Sequence, residues 1–181
     1  QADASVELNS MHVSFNIAGY VNSFSNFIFY RKLESLTGGD SIITINGQDN
    51  KAFKFDQRQA SLAGIEATLD IHPHPIDWLH FQNTFSYVAG SLKESVEGTK
   101  NLPFIPAPKL LTELRGDLKK TGYNLKNFYV KIEMDNTFRQ NRAFTAYNTE
   151  TATPGYSIFN AGIGTDVSDK KGKTLFTVNF A

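Results

Sequence analysis

The sequence predicts an all-β fold: an antiparallel up-and-down sheet forming a section of a transmembrane β-barrel. Three observations carry this. Apolar and polar residues alternate with period two in one segment after another. Short and long connections between these segments alternate along the chain. Few segments carry a helical apolar stripe, and the one that fits either period, "LAGIEATLDI", reads as strand in context, so no helix layer is expected to cover an apolar sheet face in water.

The alternation is plainest at residues 109–119, "KLLTELRGDLK". Leu110, Thr112, Leu114, Gly116 and Leu118 fall on one face, opposite the mostly charged Lys109, Leu111, Glu113, Arg115, Asp117 and Lys119. In the next segment Phe128, Val130, Ile132, Met134 and Phe138 alternate with Tyr129, Lys131, Glu133, Asp135 and Arg139. Residues 61–71, 79–89 and 11–21 repeat the pattern, and 4–8, 156–166 and 173–181 carry weaker versions, giving eight expected strands. The apolar parity collects Phe15, Ile17, Phe81, Phe85, Leu110, Leu114, Val130, Ile132, Phe159, Ile163, Phe176 and Val178, with almost no charge among them.

The connections are as informative as the strands. A tight turn near Asn9 is followed by a long polar segment at about 33–57. The short "HPHPID" precedes a long loop at about 91–106. "TGYNLKN" precedes a long loop at about 141–154, and "SDKKGK" is short again. Membrane barrels place short turns on the periplasmic side and long loops outside the cell. A soluble sandwich has no general reason to gather its long loops at one end.

Composition excludes several alternatives. Net charge is zero, which argues against a nucleic-acid partner, since phosphates reward a basic excess. With no cysteine there is neither a disulfide framework nor a thiolate metal site. No apolar run reaches the roughly 18 residues of a membrane helix, which leaves strands as the spanning element. The chain starts at Gln1 and stops inside the alternating run "KTLFTVNFA", so a longer parent protein is expected.

Several stretches together carry a family resemblance. "LPFIPAPKLLTELRGDLKK", "NFYVKIEMDNTFRQNRAFTAYNTETATPGYSIFNAGIGTDV" and "GKTLFTVNF" resemble the C-terminal barrel region of TonB-dependent outer-membrane receptors. "PIDWLHFQNTFSYVAG" is similar to the same family. The resemblance implies that residues 1–181 form part of a barrel domain of about 22 strands, with a plug inside it. It implies location in the outer membrane of a Gram-negative bacterium and energy from a TonB complex. It implies active uptake of a scarce extracellular ligand, a ferric siderophore or other iron complex first among them. The residues offer no convergent nucleophile–base set, so no enzymatic activity is expected. The chain departs from the full pattern by lacking the plug, the TonB-contacting region and the last strand or two.

The candidate site residues follow from this frame. Glu113, Arg115, Asp117, Lys131, Glu133 and Asp135 spread along two adjacent strands and read as a lumen-facing ion-pair network, not a convergent catalytic set. Arg139, Asn141, Arg142, Phe144 and Tyr147, at the long-loop end, are the expected ligand contacts, because aromatics with arginines suit an anionic iron chelate. Trp78 is the expected anchor at the membrane interface. Gly162 and Gly164, on the lumen-facing parity, either admit the plug backbone closely or are simply tolerated there. His72, His74 and His80 share the polar parity, where two imidazoles at i and i+2 could share a metal. Pro73 and Pro75 interrupt the strand, so these histidines are expected to be turn residues, with neither metal nor cofactor bound. The competing class is a soluble antiparallel sheet serving as a ligand-binding module.

Overall fold

A computed structural model describes residues 1–120 and 124–180. It contains β1 (Ala2–Asn9), β2 (Val13–Lys32), β3 (Ile42–Ile45), β4 (Gln48–Lys51), β5 (Phe53–Ile71), β6 (Leu79–Val96), β7 (Thr99–Asn101), β8 (Lys109–Lys120), β9 (Leu125–Thr137), β10 (Tyr156–Ser168) and β11 (Thr174–Phe180). Eight of these pair antiparallel in chain order, β1-β2-β5-β6-β8-β9-β10-β11, with β7 added beside β6 and β3-β4 forming a separate hairpin. The expected eight-strand meander is therefore the observed one. Its connections alternate short and long as expected; residues 121–123, within one short connection, lie outside the described residues.

Register fixes the faces. Phe81 pairs with Leu114 and Phe85 with Leu110, while Leu114 pairs with Ile132 and Ile132 with Ala161. These side chains share one continuous apolar face, because directly paired residues point the same way. That face is uncovered: Ile132 is 57% exposed, Phe159 71% and Phe176 55%. Large apolar residues left open over a whole sheet face call for an apolar medium or a partner.

β2 and β5 run further than the alternation foretold, to Lys32 and from Phe53. The reason is a β-bulge between Phe24 and Phe27. One extra residue there flips the parity of β2, so Phe29 and Arg31, at odd positions, join the polar face on which even positions lie lower down. A period-two reading fails across such a slip. The segment between these strands is likewise more ordered than a plain loop, carrying the β3-β4 hairpin. β6 extends to Val96 and folds back through β7.

The small buried core lies on the polar-parity face, at the long-loop end. It joins Phe29, Ala60, Leu92, Val96, Leu102, Phe144 and Ala146, with Leu62 and Tyr147 packed against it. Gly90 makes room for this: a Cβ there would lie 2.6 Å from Leu102 Cδ1. Gly162 and Gly164 are buried too, but the space above them is already filled. A Cβ on Gly162 would meet Lys131 Cγ at 3.2 Å, and one on Gly164 would meet the Tyr129 ring at 2.5 Å and the Asn179 side chain. Side chains of this chain's own neighbouring strands therefore fill the space beside both glycines.

Candidate functional site

The six charged residues of β8 and β9 pair within three neighbouring groups along the two strands. Lys131 Nζ donates to Glu113 Oε2 at 2.8 Å and to Glu133 Oε2 at 3.1 Å. Arg115 donates to both Asp117 oxygens and lies 4.2 Å over the Tyr129 ring. Lys109 reaches Asp135 at 3.6 Å, and Asn160 on β10 donates to Glu133 Oε1.

Register explains why the network is arranged diagonally. Glu113 stands directly opposite Glu133, and Arg115 directly opposite Lys131. Like charges face to face repel, so each cation serves carboxylates one step along the strand. Lys131 is then the keystone of three charges. Lys131→Met leaves two opposed carboxylates and is expected to destabilise the barrel by roughly 1–2 kcal/mol, between the values for exposed and buried pairs. Thermal unfolding in detergent checks this, and adding Glu133→Gln should restore part of the loss.

The five residues expected to touch ligand do not act as one group. Arg139, Asn141 and Arg142 are exposed on the long connection after β9. Phe144 is wholly buried, its ring 5.5 Å edge-on from Phe29, so it anchors the loop and offers no surface to a ligand. Tyr147, in a short 3₁₀ turn at Ala146–Asn148, is half-buried; its hydroxyl accepts from Arg31 Nη1 at 3.0 Å, and the Arg31 guanidinium lies 4.8 Å over its ring.

The sequence did not disclose what ties the three long connections together. Glu150 accepts from the backbone N–H of Phe104 at 2.6 Å and of Phe144 at 2.8 Å. Asn101 Nδ2 donates to the Ala143 carbonyl, and Gln140 Nε2 to the Ile105 carbonyl. Lys32, buried, donates to the Asn148 carbonyl at 3.0 Å and pairs with Asp40 at 2.6 Å; Lys51 pairs with the other Asp40 oxygen at 2.7 Å. Only these partners, which come from distant segments, reveal the roles of Glu150 and Lys32. A carboxylate six residues from the aromatic it supports was the one available signal.

Hydrogen bonds from Lys32, then Lys51, hold the Asp40 carboxyl below its ordinary value of 3.8. Its stabilising contribution is therefore present at neutral pH, and it is lost as pH falls through the depressed folded-state value. Acidification in that range is expected to raise hydrogen exchange across 33–52, and Asp40→Asn should produce the same loosening at pH 7.

At the opposite end the Trp78 ring, 49% exposed, lies over Gly116, 3.3 Å from where a Cβ of that apolar-face position would stand. The neighbouring histidines are more than turn residues. His72 Nε2 lies 2.9 Å from Asp70 Oδ2, the His72 and His80 rings are 4.3 Å apart, and His80 Nε2 lies 3.5 Å from Asp117 Oδ2. His74 stands apart, exposed, 3.6 Å from Asp77.

No protein-family model matches the chain, and no curated protein matches its sequence. Among solved structures it is similar to "Copper transporter OprC", with a TM-score of 0.67 at 15% identity, over 91% of this chain and 22% of that one. The chain thus spans about a fifth of the length of the protein it resembles, and the likeness is one of fold.

Proposed function

We propose that this chain is a section of the barrel of a TonB-dependent outer-membrane receptor that takes up a scarce extracellular ligand. The observation that carries the proposal is the uncovered apolar face, continuous from Phe15 to Phe176, set against a polar face laced with ion pairs. A sheet with these two faces and all its long connections at one end suits a barrel wall between lipid and a polar lumen. The long-loop end, with Arg139, Asn141, Arg142 and Tyr147 about a buried anchor, is the ligand side. The short-turn end faces the periplasm, with Trp78 at the interface. A plug fills the lumen, and TonB engages the protein through another segment. The chain has no catalytic chemistry of its own.

The cargo we propose is an iron complex, which the family resemblance favours; similarity of fold to a copper transporter supports the broader class of transition-metal cargo. Whole cells expressing the complete protein, given labelled ferric siderophore and, separately, copper, test both. Saturable accumulation of the ferric complex that an uncoupler abolishes is the expected result. Uncoupler-insensitive accumulation, or none of either cargo, contradicts the receptor reading.

A further inference from the structure

We infer that Asp70, His72 and His80 form a binding site for a single divalent transition-metal ion at the short-turn end of the sheet. The inference rests on these side chains and is independent of the uptake reading. One ligand atom from each residue lies within 4.8 Å of the other two. The backbone produces this convergence. Ile71 pairs with Phe81, so the next position along places His72 opposite His80 on the polar face, and Asp70 lies two residues back on the same face. His72 is fixed although β5 has ended, because its backbone N–H donates to the His12 carbonyl at 2.8 Å. Pro73 opens the turn only after that bond is made.

The donor set suits the ion. Two imidazoles and one carboxylate match zinc, copper or nickel and leave a position open. Donors around a tetrahedral ion stand about 3.4 Å apart at metal–ligand bonds of ~2.0–2.1 Å. The 2.9 Å contact of His72 Nε2 with Asp70 Oδ2 is a hydrogen bond; an ion bound there takes the place of the shared proton and parts the two atoms by about 0.5 Å, while the His80 nitrogen, within 4.8 Å of both, draws closer. Asp70 Oδ1 is shielded from solvent and has no hydrogen-bond partner among the described residues, leaving unmet acceptor capacity on the ligand carboxylate. Asp117, held by Arg115, stands beside His80, as a carboxylate that orients a ligating imidazole does. His72, His80 and Asp117 line an open pocket with Trp78 and Leu118, which gives an ion a way in.

The test uses the intact protein in detergent, stripped of metal. Calorimetric titration with Zn²⁺ alone should show a site whose affinity falls about a hundredfold or more in His72→Ala/His80→Ala and roughly tenfold in Asp117→Asn, while His74→Ala leaves it unchanged. With Cu²⁺, paramagnetic resonance of the unmodified protein should show coupling to two imidazole nitrogens, a readout that does not depend on any variant folding. Zinc affinity that survives the double substitution in a folded protein overturns the proposal. So does a copper spectrum of the unmodified protein without imidazole coupling.

Discussion

Ile132→Arg is expected to destabilise the folded protein in lipid vesicles by about 2–4 kcal/mol, the cost of a cation on the lipid face near mid-bilayer. Ile132 lies near the middle of β9, flanked on the same face by Leu114 and Ala161, and no polar side chain pairs with it directly. The comparison that gives the number meaning is Thr84→Arg. Thr84 is on the opposite parity of β6, paired with Thr68 and Leu111. A long cation there reaches the polar lumen and should cost less than about 1 kcal/mol, as surface substitutions do. Urea unfolding of both variants in vesicles measures the difference. In a soluble sheet with this face in water, the two substitutions would cost the same small amount.

Phe144→Ala should cost roughly 3–5 kcal/mol of loop docking, as truncation of a fully buried phenylalanine does. Phe144 is wholly buried among Phe29, Ala60, Leu92 and Leu102, which belong to β2, β5, β6 and the connection after β7. Its removal opens a cavity where three long connections meet, and Ala146 and Tyr147 lose their seat. Amide hydrogen exchange should rise by about a hundredfold or more across 141–154 and also near Leu102, with the strands below unaffected. Arg142→Ala, in the exposed part of the same loop, should leave exchange unchanged. If Phe144 served only to contact ligand, its truncation would weaken ligand binding without altering exchange.

The strands were legible in the sequence because a sheet with one apolar and one polar face imposes opposite demands on successive residues. Leu110 to Leu118 and Val130 to Met134 therefore announce their faces without any knowledge of partners. The charged network was legible for the same reason, although only the register shows that Glu113 faces Glu133 and that Lys131 must bridge them. Legibility failed where the period was broken or contacts were distant. The bulge after Phe24 hid the upper part of β2, and the β3-β4 hairpin read as polar loop. Phe144 was placed among ligand contacts because an aromatic in a long polar loop looks exposed; its partner Phe29 is more than a hundred residues away. The histidines were set aside because Pro73 and Pro75 break a strand. The break begins after His72, and hairpin register still brings His72 to His80.

The central claim is that the apolar parity faces lipid. Because the chain has no cysteine, single spin-labelled cysteines can be placed in turn at positions 128–135 of β9. In vesicles, collision rates with oxygen, which concentrates in lipid, should alternate with period two. They should be high at 128, 130, 132 and 134 and low between, with a water-soluble nickel reagent showing the opposite phase. Equal access of the nickel reagent to both parities would contradict the barrel reading.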